Sequence, residues 1–341
     1  MRGGMTDVST NTTATGAAPA RLALAALLLG AVVIGFSGIL VKLSETGPLA
    51  SAFYRVALSL PVFLLWMGLA LPRAARKSRA APVGTAPPVP IGGLAGGGQT
   101  VGASGGAARA KKLASKDRWL LVLCGALFAA DLGFWHLSLQ FTSVANSTLL
   151  GNLAPIWVTL GVWLLFGERV RPLFIAGLAV ALAGCAIVMG RSLTANPESL
   201  VGDGLAVLTA LFYGGYQLSV ARLRARVSTP VILAWSGSVG AVILLPIAAL
   251  SGEVLLAQTA FGWGILLAIA LFSQAGGQGL ITYAFAHLPA SFSSVTLLIQ
   301  PVAAAGFAWL ILGEALGIWQ GIGGAVVLLG IWLARRGSAA T

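Results

Sequence analysis

Pro155-Ile-Trp-Val-Thr-Leu-Gly-Val-Trp-Leu-Leu-Phe-Gly-Glu168 and Pro301-Val-Ala-Ala-Ala-Gly-Phe-Ala-Trp-Leu-Ile-Leu-Gly-Glu314 are two copies of one pattern, 146 residues apart. The proline and the Gly-Glu pair keep the same spacing in both. From Pro155 to Gly184 that offset matches ten of thirty positions, among them Trp163, Gly167, Glu168, Gly177 and Gly184. Each copy lies in an apolar run long enough to cross a bilayer as a helix, which takes about twenty residues. The chain therefore reads as a membrane-embedded duplication, an organisation common among carriers.

Composition supports the same class. The 341 residues are 57% hydrophobic and only 9% charged, with a mean hydropathy of +0.92. A soluble domain carries roughly a quarter charged residues. A transmembrane β-barrel would show alternating segments of about ten residues, whereas these runs are unbroken, so the fold class is an all-α integral membrane protein. Cys124 and Cys185 sit in apolar stretches without a CxxC partner, which indicates neither a disulfide framework nor a metal site. They read as small packing residues, and no cofactor is expected.

Ten spans are predicted near 22–41, 49–70, 119–139, 144–166, 171–190, 203–221, 230–250, 261–285, 290–312 and 316–334. The formal charge of +12 is sorted by side, so it argues for membrane topology and against a nucleic-acid partner. All but three of the 21 Lys and Arg residues fall on one side, and the exceptions are Lys42, Arg55 and Arg191. Because basic residues stay in the cytoplasm, both termini are expected there, in a bacterial inner membrane. The first span is too long for a signal-peptide core and no convincing small-residue cleavage site follows it, so it is expected to remain as a helix.

The predicted layout is a tail (1–21), a first repeat (22–191), a second repeat (202–334) and a tail (335–341). Five spans separate each motif from its copy, and an odd number of crossings puts Glu168 inside and Glu314 outside. The two five-helix repeats are thus inverted, an arrangement that places substrate near the midplane and lets the two faces open in turn. Between spans two and three, residues 72–117 are rich in Ala, Gly and Pro with basic ends, and are expected to form a disordered cytoplasmic loop. Its glycines lack the strand-to-helix setting of a phosphate loop. Contact of its basic ends with anionic headgroups is the better fit.

These residues resemble the EamA family of the drug/metabolite transporter superfamily. The resemblance rests on the two Pro-to-Gly-Glu segments, on Lys42 near the end of the first helix, and on Pro48 followed by Arg55 in the second. It covers about 22–334 apart from the long loop. It implies ten helices in two repeats and a secondary carrier, most often an exporter of amino acids or other small metabolites, that works without ATP. The chain departs from a symmetric duplication in one respect. No Lys or Arg pair in the second half answers Lys42 and Arg55, so the halves differ chemically.

Asp131 is the sharpest candidate, about twelve residues into its predicted span and hence roughly 18 Å along it. An ionised carboxylate there costs at least about 2.5 kcal/mol, so it must face protein or a wet cavity. Asp131, Trp135 and Ser138 share a helix face. The carboxylate fits a cationic substrate group or a coupling proton, or equally a bond to a neighbouring helix. Arg55 reads as a snorkelling interface residue, a partner of Asp131, or a fork for a substrate carboxylate. Lys42 reads as an interface anchor.

A second group is polar and uncharged: Asn152, Tyr213, Tyr216, Gln217, Gln274, Gln278 and Gln300. Tyr213 with Gln217, and Gln274 with Gln278, are i, i+4 pairs that suit either a polar substrate pocket or interhelical bonds of about 0.6 kcal/mol each. His136 is a proton-relay candidate or a satisfied buried histidine. Glu168 and Glu314 are expected to favour the N-termini of the following helices. Pro155 and Pro301 lie mid-span, where kinks would assist gating. The partners expected are a small-molecule substrate, the lipid bilayer, a coupling proton and a second copy in a homodimer. Uptake remains open beside export. A non-transport membrane subunit and an intramembrane enzyme are the other classes weighed, the latter against the absence of any H-E-x-x-H or paired-carboxylate motif.

Overall fold

With no water in the hydrocarbon to satisfy backbone groups, apolar runs of this length close their own hydrogen bonds as helices. The computed structural model describes residues 14–69, 114–142, 144–167, 169–189, 199–312 and 318–338. Its ten membrane helices are α1 (Ala20–Lys42), α2 (Pro48–Leu69), α3 (Ser115–Phe141), α4 (Ser147–Phe166), α5 (Pro172–Met189), α6 (Leu200–Arg224), α7 (Thr229–Leu250), α8 (Ala260–Ala284), α9 (Ala290–Ile311) and α10 (Ile318–Ser338). Nine are long and apolar enough to cross a membrane by length and composition. The 18 residues of α5 rise about 27 Å, near the thickness of the hydrocarbon core.

Some boundaries differ from the sequence reading. The helix that enters α1 begins at Ala14, before the span proper and inside the expected tail, and α3 starts at Ser115, inside the expected loop. Asp117 in the first turn of α3 favours its N-terminus, and Arg335 and Arg336 in the last turn of α10 favour its C-terminus. Those charges extend the helices beyond their apolar runs. Glu168, Arg191 and Glu314 lie outside the described residues.

Contacts between helices repeat when helix n is exchanged for helix n+5. Helix α1 packs on α8 and α9, and α6 packs on α3 and α4; α2 meets α8, and α7 meets α3; α2–α7, α4–α9 and α5–α10 exchange into themselves. That is the signature of a two-fold relation between repeats.

The conserved spacing inside the duplicated pattern has a structural cause. The fourth span breaks at Asn152 and Leu153, between helical pieces Val144–Gly151 and Ala154–Phe166. The ninth breaks at Leu297 and Leu298, between Ala290–Thr296 and Ile299–Leu312. Pro155 and Pro301 therefore stand in the first turn after a break rather than mid-helix, where a missing N–H costs little. Gly167 ends α4 at φ +70°, its N–H bonded to Trp163 O at 3.1 Å, a left-handed cap that suits glycine.

Helices α5 and α10 form the closest contact. A side-chain carbon at Gly177 would lie 2.3 Å from Ala334 N, and one at Gly330 would lie 2.3 Å from Ala181 N. Gly184 and Gly323 approach the opposing backbone to 2.6 and 2.7 Å in the same sense. The glycines 323, 330 and 337 recur every seven residues, so one stripe stays at the contact.

Candidate functional site

The centre of the bundle gathers polar groups from both repeats. Arg55 on α2 is only 5% exposed; its Nε donates to Gln274 Oε1 at 3.1 Å and its Nη1 to Ser37 Oγ at 3.2 Å. It therefore does not snorkel. Burial of a guanidinium is tolerated because acceptors from α1 and α8 meet it. Three of its five donors are not engaged by other groups among the described residues.

Asp131 on α3 is buried, and its charge interacts with that of Arg55. Among the described residues, however, the only contact ion pair within 4 Å is Arg226 with Asp117. Arg55 and Asp131 are thus buried groups of opposite formal charge that lie near one another without the closed geometry of an ion pair.

Around them stand an aromatic and amide wall. Tyr213 and Tyr216 of α6 stack with centroids 6.1 Å apart, and Tyr216 stacks further on Phe128 at 4.6 Å. Gln278 Nε2 donates to the Tyr216 hydroxyl at 3.3 Å. The Tyr213 hydroxyl is flanked by the amides of Gln278 and Gln300, and it feels the charges of Asp131 and Arg55. Gln300 approaches it, yet its Nε2 has no acceptor at bonding geometry, nor has Gln274 Nε2, and Gln217 Oε1 has no donor. A buried polar atom without a partner costs about 1–3 kcal/mol, so such atoms collect where another molecule supplies the bond.

Local geometry explains why α8 delivers two glutamines here. Residues Ile269–Gln278 form a π-helical stretch, whose widened turn offsets the side chains and is frequent at functional sites. Gln274 reaches Arg55 while Gln278, at its end, reaches Tyr216. No feature of the sequence reading indicated this change of period.

Other candidates lie elsewhere. Asn152 donates to Thr148 O at 2.7 Å, satisfying the break in its own helix. Trp135 packs by Gly151 of the same break, where a side-chain carbon would meet its Cδ1 at 3.7 Å. Gln217 is buried on α6, but the ring that Tyr213 meets is that of Tyr216 at i+3, and no bond joins Gln217 to Tyr213. His136 Nδ1 bonds Ser51 Oγ at 2.9 Å, and Ser51 Oγ also donates to Pro48 O at 2.9 Å. Since the serine has one proton, His136 Nδ1 is the donor and its buried Nε2 is a bare acceptor without a partner. The buried triplet Ser51, Arg55 and Ser59 lies at i, i+4 and i+8 on α2, a polar stripe legible in sequence but missed.

A second arrangement closes one end of the bundle. In the α1–α2 turn, Glu45 accepts from the backbone N–H of Gln258 (2.8 Å) and Thr259 (3.0 Å) and from the Thr259 hydroxyl, at the start of α8. In the α7–α8 turn, which reverses at Gly252 (φ +74°), Glu253 accepts from the N–H of Leu49 (2.9 Å) and Ala50 (3.2 Å), at the start of α2. Each hairpin's carboxylate caps the other hairpin's helix. The Thr259 hydroxyl first, with the two N–H groups, holds Glu45 below the usual carboxylate range. Asp203 accepts from Thr142 at 2.6 Å on the same face.

The chain matches the model of the EamA-like transporter family over residues 21–190 and 200–336. It is 29% identical over 196 residues to the pseudopaline exporter of Pseudomonas aeruginosa, covering 57% of this chain and 67% of that one. It is 21% identical over 323 residues to an uncharacterized transporter of Archaeoglobus fulgidus, covering 90% and 96%. A probable terminal-alkyne amino-acid exporter of Streptantibioticus cattleyicolor is 24% identical over 226 residues, covering 65% and 74%. A solved crystal structure superposes with a TM-score of 0.68 at 17% identity, covering 94% of this chain and 98% of that one, a likeness of fold.

Proposed function

The chain belongs to the EamA-like transporter family, a multi-pass membrane transporter and not an enzyme, and from that premise we propose that it exports small zwitterionic metabolites of the amino-acid kind. The observation that carries this reading is the separated charge pair. A substrate with a carboxylate and an ammonium group completes it, the carboxylate taking free donors of Arg55 and the ammonium meeting Asp131. Gln274, Gln278, Gln300 and Tyr213 supply bonds to the rest of a polar molecule. That the relatives above include a pseudopaline exporter and a probable amino-acid exporter favours the direction outward.

Alternating access follows from the inverted repeats. The carboxylate caps that join the two hairpins support reading this face as the outer gate, and the positive-inside tendency supports a cytoplasmic position for the basic face. Asp131 is also the group that exchanges a coupling proton when substrate leaves.

The test is counterflow in proteoliposomes with three ligand sets: zwitterionic amino acids, amines lacking a carboxylate, and carboxylates lacking an amine. Saturable exchange of the first set alone is expected, with loss in both Arg55→Gln and Asp131→Asn. Equal exchange of amines by wild type and Arg55→Gln would reject the zwitterion reading.

A further inference from the structure

The basic face carries a feature unconnected with the central site. Between the start of α3 and the end of α6 lies a groove of about 1000 Å³, at the upper end of the range for ligand sites. Its rim holds Lys116, Arg222 and Arg226, with Asp117 as its single acid, and Arg226 already faces that acid at 3.6 Å. Its wall is apolar and turned outward: Trp119 is 74% exposed and Leu123 50%. On a membrane-spanning helix, such side chains meet acyl chains.

We propose that this groove binds an anionic glycerophospholipid, its phosphate between Lys116 and Arg222 and its acyl chain along Leu123. Three observations select this occupant. The cations stand at the ends of apolar spans, which is the depth of headgroups, and below them the wall is hydrocarbon-like. Trp119 sits one turn into α3, at the interface where tryptophan is enriched. Arg222 is already braced, its guanidinium 5.2 Å over the Phe166 ring, so less side-chain freedom is lost on binding. The stretch leading into α3 brings Lys111 and Lys112, cations that the groove would repel, so the loop itself is a poor occupant. Basic pockets between helices at this level hold anionic headgroups.

The test is native mass spectrometry of the full chain ejected from nanodiscs of mixed phosphatidylglycerol and phosphatidylcholine. Retention of phosphatidylglycerol over phosphatidylcholine by about thirtyfold is expected, from two cations near the phosphate worth about 1 kcal/mol each. The preference should fall to parity in Lys116→Gln/Arg222→Gln and survive in Arg335→Gln/Arg336→Gln, which removes equal charge from the end of α10. Leu123→Ser should weaken retention of both lipids at the groove. Parity in wild type, equal loss in both double variants, or abolition of the preference by millimolar inorganic phosphate would each overturn the proposal. The last result would mark a soluble-anion site.

Discussion

Helices α5 and α10 touch through glycine and alanine with backbone against backbone, whereas α2, α3, α6 and α8 meet through long polar side chains that leave several buried atoms unbonded. The first contact has one solution, because opposing backbones at van der Waals distance cannot be repacked. The second has several, because glutamine, tyrosine and arginine can exchange partners at small cost. A carrier needs both: a fixed seam that keeps the repeats together, and a centre whose bonds can be handed from protein to substrate and back.

The largest expected effect comes from breaking the seam. Gly330→Leu would drive a side chain into Ala181 backbone atoms 2.3–2.6 Å from its first carbon. Overpacking of this severity costs more than about 3 kcal/mol. Loss of the monodisperse peak in detergent size-exclusion is the expected outcome, while Gly264→Ala on α8, where nothing lies within 4 Å, should elute normally.

Next is the centre. Asp131→Asn and Arg55→Gln should each lower substrate flux at least about tenfold while leaving the elution profile intact, since each amide stays polar, Asn with the volume of Asp and Gln with part of the Arg stem, without the charge that the ligand matches. Flux within a factor of two of wild type in either variant would remove that residue from the substrate path.

The capped face gives a smaller, pH-dependent effect. Glu45 is held below its ordinary range in the folded protein, so its contribution is present at neutral pH and is lost as pH falls through the depressed value. Melting temperature should fall on acidification, and Glu45→Gln should melt lower at neutral pH with a flatter pH dependence. Identical pH profiles would show that the cap carries no stability. The smallest effect is expected for Gln278→Leu. Loss of one interhelical bond to Tyr216 is worth about 0.6 kcal/mol, a shift of a few degrees at most.

Several features were legible before any coordinates. Asp131 and Arg55 stand out because a charge in an apolar run is expensive wherever it points, and the glycine stripe stands out because it repeats. The α4 break was half-legible: Pro155 marked an irregularity, but the hydrogen bonds place it one turn earlier, at Asn152 and Leu153. The caps of Glu45 and Glu253 were not legible, since their partners lie more than two hundred residues away.

By itself the sequence determined the class and the ten-helix duplication, because length, hydropathy and a repeated pattern are properties counted along the chain. Only the tertiary structure decided that Arg55 turns inward to Gln274 and Ser37, that it stays apart from Asp131, and that a π-helical stretch brings Gln274 and Gln278 to the same centre. Those outcomes depend on which acceptors neighbouring helices present at a given depth. Hydrogen bonds between helices carry no period along the chain, so no one-dimensional pattern records them.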